Sequence, residues 1–154
     1  MTAVLLDGNA TARTIKDELR AEVEGLRARG VVPGLGVVLA GENPASAVYV
    51  RNKTRACDEL GIYHETALFP PTTTTEEVAA KVSEYGRRED IHGILVQLPL
   101  PTQVDASRVL SLVDPAKDVP FATGWVRAAS RKFWRVMPVS DDIARAARSL
   151  GMRA

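Results

Sequence analysis

The stretch that decides the fold is Asn43-Pro44-Ala45-Ser46-Ala47-Val48-Tyr49-Val50-Arg51-Asn52-Lys53-Thr54-Arg55-Ala56-Cys57-Asp58-Glu59-Leu60-Gly61. It predicts a helix with both ends marked. Asn43 is a good N-cap, and Pro44 suits the first helical position, where a missing N–H costs nothing. Gly61 supplies the residue that stops the helix. Val50, Thr54 and Cys57 recur at helical spacing with Val48 beside them, and together they are expected to form the buried face. Tyr49 and Lys53 are four residues apart and sit one above the other on an adjacent face. A phenol beside an ammonium on a half-buried helix suits acid/base chemistry. Taken alone, the pair is read first as a lysine running its methylenes past a tyrosine ring.

Outward from this helix, the chain alternates. Toward the N-terminus, Leu35 to Ala40 reads as a buried strand after Pro33-Gly34. Before it, a helix is predicted from about Asn9 to Arg29, with Ile15, Leu19, Val23 and Leu26 on one side and Gly30 to end it. Toward the C-terminus, Ile62 to Leu68 reads as a second strand, interrupted by His64 and Glu65. Thr74 with Glu77 forms a capping box for a helix that carries Val78, Ala79 and Val82 to about Tyr85, where Gly86 is expected to stop it. Ile91 to Leu98 is the clearest strand and ends in Pro99-Leu100-Pro101, which no central ladder can accept. Val104 to Val113 reads as a short helix closed by Asp114-Pro115.

This alternation predicts an α/β fold: a three-layer domain whose mainly parallel sheet is flanked by helices on both faces. Ligands of such sheets bind beyond the carboxyl ends of the strands. Gly41 to Asn43 and Gln97 to Pro101 are therefore expected to meet there, with Tyr49 and Lys53 on the first two turns of the adjoining helix. Gln97 is the polar residue at that strand end, and an amide there can also serve simply to satisfy loop backbone groups.

Composition excludes several classes. The 154 residues are 45% apolar and 25% charged, ordinary for a globular domain. No apolar run reaches the ~20 residues of a membrane span, and no secretory signal is read at the N-terminus. The single Cys57 excludes an internal disulfide and fits a reducing compartment, so a cytoplasmic setting is expected. Residues 1–118 carry a net charge of −4, which gives no electrostatic argument for nucleic acid, whereas residues 119–154 carry +5. The two histidines, His64 and His92, lie in different strand regions, and no metal site is expected.

The residues also match a known family. Glu42 to Lys53, followed by Ala56-Cys57 and Gly61-Ile62, resembles the signature of the bifunctional methylenetetrahydrofolate dehydrogenase/cyclohydrolases. His92-Gly93-Ile94-Leu95-Val96-Gln97-Leu98-Pro99-Leu100-Pro101 resembles that family's second signature, and Pro115-Ala116-Lys117-Asp118-Val119 the start of its third. The resemblance implies a folate-binding catalytic domain over 1–119 and one-carbon chemistry on a tetrahydrofolate derivative. In that family the 5,10-methylene bridge is oxidised by hydride transfer to NAD(P), and the methenyl cation is then hydrolysed to 10-formyltetrahydrofolate. It implies Lys53 as the central acid/base group, Tyr49 stacking on or orienting the folate, and Gln97 hydrogen-bonded to the lysine. Val96, Leu98 and Pro99 match positions that line the folate cleft. Burial would keep part of such a lysine neutral near pH 7, as the chemistry requires.

The sequence departs from the family pattern twice. The third signature continues Lys-Asp-Val-Asp-Gly, but here Lys117-Asp118-Val119 is followed by Pro120-Phe121. The second aspartate of the pattern accepts hydrogen bonds from the pterin, which Pro120 cannot do; such a charge-assisted bond is worth ~1.5–3 kcal/mol. The family's nicotinamide-binding domain is also absent from these 154 residues, and Gly34-Leu35-Gly36 with Gly41 is not a dinucleotide fingerprint. No complete NAD(P) site is therefore expected, and at most cyclohydrolase activity survives; the alternative is a non-catalytic folate-binding or assembly module. Residues 120–154 are expected to be a diverged interdomain segment with an amphipathic helix on Ile143, Ala146, Ala147 and Leu150. The expected partners are a small-molecule folate and either a second copy or a full-length relative, with no nucleic acid and no membrane.

Overall fold

The computed structural model describes residues 8–119. Pro120, the positively charged segment after it and the helix expected within that segment lie outside the described residues, as do residues 1–7. The element order is α1 (Gly8–Arg27), β1 (Gly34–Ala40), α2 (Pro44–Leu60), β2 (Tyr63–Phe69), α3 (Thr75–Arg87), β3 (Gly93–Gln97) and α4 (Ala106–Ser111). Every strand pairing is parallel, in the order β2-β1-β3, with Val37 opposite Thr66 on one side and Leu95 on the other.

β1 lies at the centre and all seven of its residues are buried. Its alternation feeds two cores. Leu35, Val37 and Leu39 pack with Leu19 and Val23 of α1 and with Val50, Cys57 and Leu60 of α2. Val38 and Ala40 pack on the other face with Val78, Val82 and Tyr85 of α3 and with Val109 of α4. Two core faces and one central strand account for the unbroken apolar run in β1, because a parallel strand covered on both sides needs no polar alternation. Gly34 is one exception in size and Gly36 the other. The Tyr85 ring lies against Gly36, and a Cβ at position 36 would come within 2.7 Å of that ring. The phenol is anchored by the neighbouring strand, its hydroxyl donating to Glu65 Oε1 of β2 at 3.2 Å.

α2 forms as its ends predict. The Asn43 side chain accepts from the Ala45 and Ser46 amides, and Gly61 takes a left-handed conformation (φ 71°) that returns its N–H to the last carbonyls. Its buried face differs from expectation: Ser46, Val50, Cys57 and Leu60 are buried, whereas Val48 is 43% exposed. Val48 lies two residues from both Ser46 and Val50, about 200° around the helix from each, and so points away from the sheet.

α3 also differs. Its capping box forms in full, but Gly86 stays helical and the helix runs to Arg87. The stop comes at Arg88, which turns extended while its guanidinium donates to Asp90 Oδ2 and Glu65 Oε2, each at 2.6 Å. A side chain bonded on both sides fixes the exit, and glycine's freedom is not needed. One pairing has no counterpart in the sequence patterns. The segment after α4 returns beside β3, with Ile94 N–H donating to the Lys117 carbonyl (2.7 Å) and Val119 N–H to the Ile94 carbonyl (3.1 Å).

Candidate active site at the carboxyl ends of β1 and β3

The carboxyl ends of β1 and β3 lie side by side, as the parallel order requires. Gly41 (φ 87°) turns the chain out of β1 and into the α2 cap, close enough that a Cβ on it would meet the Pro101 ring at 3.5 Å. The first turn of α2 is tied to the end of β3 by Ser46, whose buried hydroxyl donates to the Leu98 carbonyl at 3.3 Å. Pattern reading gave Ser46 no role. Its signal is its place on the buried period of α2, four residues before Val50, where a hydroxyl needs a partner.

Tyr49 and Lys53 stand on the second and third turns of α2, one turn further along than expected. Tyr49 is 53% exposed, and the Lys53 ammonium lies over its ring, 5.5 Å from the centroid. Burial pushes the lysine's pKa below its ordinary value, since a desolvated site disfavours the ammonium. That direction is the one a proton-shuttling amine needs.

Gln97 is 1% exposed. Its Nε2 donates to the Leu98 carbonyl at 2.8 Å, so the amide does satisfy a loop backbone group. Its Oε1 is buried with no hydrogen-bond partner among the described residues. It therefore accepts nothing from Lys53, and the Gln97–Lys53 bond implied by the family resemblance is not made. A buried acceptor left open costs about 1–3 kcal/mol, and a ligand donor placed there would recover it. Leu98 is half-buried and Pro99 is exposed, joined by a cis peptide bond. Val96 instead turns into the core with Val38, Ile94 and Val104, and reaches the crevice only through its backbone.

Cys57 and the two histidines are held in structural roles. Cys57 is buried, and its thiol is pushed up to about 11, which leaves it protonated and inert. His64 meets Asp58 at 3.1 Å across the turn between α2 and β2, a carboxylate that sequence spacing did not bring to it, and His92 Nδ1 accepts the Gly34 N–H. Among the described residues no cluster of three His, Cys, Asp or Glu is placed to hold a metal, and no helix is long and apolar enough to cross a membrane. The described residues do not fit a nicotinamide dinucleotide. Gly34 and Gly36 belong to β1 and are pressed against the Asp90 carbonyl and the Tyr85 ring, so neither opens a loop onto a helix N-terminus.

Known proteins share the sequence and the fold of this chain. Residues 6–120 match the family model described as the tetrahydrofolate dehydrogenase/cyclohydrolase catalytic domain. The chain is 53% identical over 119 residues to a protein from Koribacter versatilis named Bifunctional protein FolD, covering 77% of this chain and 39% of that one. Among solved structures, the FolD methylenetetrahydrofolate dehydrogenase/cyclohydrolase from Campylobacter jejuni is 37% identical with a TM-score of 0.72, covering 75% of this chain and 41% of that one. The Trypanosoma brucei methylenetetrahydrofolate dehydrogenase-cyclohydrolase, solved with NADP and an inhibitor, is likewise 37% identical with a TM-score of 0.72, covering 77% and 41%. The chain thus spans about two fifths of the length of the relatives it matches. By fold and by sequence, this chain belongs to the tetrahydrofolate dehydrogenase/cyclohydrolase family, through its catalytic domain.

Proposed function

We propose that this chain supplies the folate-binding catalytic domain of one-carbon interconversion, and that the reaction its described residues support is hydrolysis of 5,10-methenyltetrahydrofolate. The observation that carries the proposal is Lys53: an amine whose burial disfavours its charged form, beside the exposed Tyr49 ring, at the strand ends where Gln97 keeps an open acceptor. Water adds to the methenyl carbon and gives a proton to neutral Lys53. The resulting ammonium returns a proton to N5 as the carbon–N5 bond breaks, and the hydroxyl proton leaves to solvent as the formyl C=O forms. General acid/base help of this kind is worth about a hundred- to ten-thousandfold in rate. Tyr49 offers a flat exposed face for the folate rings, and Gln97 Oε1 an acceptor for an N–H of the ligand. Hydride transfer to NAD(P) belongs to a nicotinamide site that these residues do not provide; a full-length relative is the partner that would bring one, while a second copy could only pair with this domain. The free buried Cys57 supports a cytoplasmic, reducing setting.

The test is absorbance loss of 5,10-methenyltetrahydrofolate with wild type and Lys53→Ala in parallel. A rate at least a hundredfold above the variant's supports catalysis. A second reading, a folate-binding or assembly module without turnover, is favoured by Pro120 at the position of the family's pterin-binding aspartate. Equal rates in the two proteins, with folate still bound by the wild type, would establish that reading instead.

A further inference from the structure

Lys117 lies well away from the crevice, yet its contacts lead to it. Its ammonium donates to the Gly86 carbonyl at 2.9 Å and to the Arg88 carbonyl at 2.7 Å, the carbonyls at which α3 ends. A cation at a helix C-terminus meets both the open carbonyls and the negative end of the helix dipole. The Lys117 backbone carbonyl accepts from Ile94, and Val119 N–H donates back to Ile94. The lysine therefore holds residues 117–119 as a fourth parallel segment beside β3. The segment also reaches α2, because the Val119 side chain packs against the cluster of Val50, Leu39 and Leu95. Val50 is the buried residue of α2 between Tyr49 and Lys53.

We propose that Lys117 is a positioning residue for the α2 site: seated on the end of α3, it fixes the 117–119 segment beside β3, and through Val119 it fixes the seat of the helix turn that carries Tyr49 and Lys53. The proposal deepens the reading of Lys53 as the working amine. It takes no part in the chemistry and needs no contact with the ligand. A long flexible side chain closing two layers at one point explains why the segment between α4 and residue 119 holds its register with only two ladder hydrogen bonds.

The test uses the full chain and NMR. Lys117→Met keeps the aliphatic stem and removes the charge; Lys117→Arg keeps a donor able to reach both carbonyls. In Lys117→Met the Val119 amide is expected to exchange about tenfold faster, equivalent to about 1.4 kcal/mol of lost protection. The side-chain titration of Lys53, followed by its 13Cε signal, is expected to move up toward that of an ordinary lysine as the α2 seat loosens. Lys117→Arg is expected to restore both. A Lys117→Met protein whose Lys53 titration matches wild type, whether or not its melting temperature falls, overturns the proposal, since Lys117 would then be only a cap for α3. Should Lys117→Met not fold, Val119→Ala leaves the lysine seated and removes the contact with the Val50 cluster. It must move the Lys53 titration in the same direction, and an unmoved titration overturns the proposal. Binding of 5,10-methenyltetrahydrofolate is measured on the same samples: a wild type that binds none sinks the folate reading and leaves the Lys117 result to stand on Lys53 alone.

Discussion

Gln97, the last residue of β3, and Lys53, on α2, carry opposite electrostatic problems. Gln97 is a neutral amide with a buried acceptor and no donor, and Lys53 is a cation in a place that disfavours its charge. The first predicts a separation of stability from function. Gln97→Leu removes the unsatisfied oxygen, and the Leu98 carbonyl keeps its bond from Ser46. Unfolding free energy is expected to change by less than about 1 kcal/mol, while folate affinity falls several-fold; denaturant melts and ligand titration on one preparation decide it. The second predicts a pH profile. Lowering of the lysine's pKa places the neutral amine at lower pH, so hydrolysis rises with pH to a plateau whose midpoint lies below the ordinary lysine value of about 10.4. A rate that does not depend on pH between 6 and 10 removes Lys53 as the base. Tyr49, Lys53 and Gln97 were all legible in the sequence, because helical spacing and strand-end position place them. The open oxygen of Gln97 was not, since it depends on which amide atom faces which carbonyl.

At the scale of elements, ends were easier to foresee than faces. The Asn43 cap, the Gly61 stop and the Thr74–Glu77 box are local chemistry, and each forms. Thr74→Ala is expected to cost about 1 kcal/mol in a thermal or urea melt, since it frees the Glu77 amide at the start of α3. The outward turn of Val48 and the extension of α3 past Gly86 were illegible for one reason: both are set by contacts with other elements. The α3 exit depends on Arg88, whose bond to Glu65, with help from Lys81 and Tyr85, holds that carboxyl below the usual carboxylate range. A depressed folded-state value contributes stability above the unfolded value of about 4.3, and that contribution is lost as pH falls through the folded one. Melting temperature is therefore expected to drop on acidification below that point, and to drop less steeply in Arg88→Ala, in which the carboxyl has lost its partner. Parallel slopes in the two proteins exclude the pair as a source of acid sensitivity.

For the whole molecule, the order of helices and strands was readable because each strand is short and bounded by glycine or proline, and β1 and β3 are almost wholly apolar. The segment beside Ile94 was not readable, because two ladder bonds formed across more than twenty residues leave no periodic trace. β1 joins both cores, so its amides are expected to exchange only on global unfolding, whereas the less buried β2 exchanges by local opening. Hydrogen exchange that ranked β2 slowest would contradict the sheet order. The contact between Gly36 and the Tyr85 ring spans two layers of this molecule, and it constrains how such sequences can vary. Neither position is free to change alone: a methyl at 36 has nowhere to go while a ring fills the space, and a smaller residue at 85 leaves a void where the ring was. Chains of this architecture should therefore pair glycine at the first position with an aromatic at the second, and any that carry alanine or serine there should have given up the ring, two substitutions inherited as one.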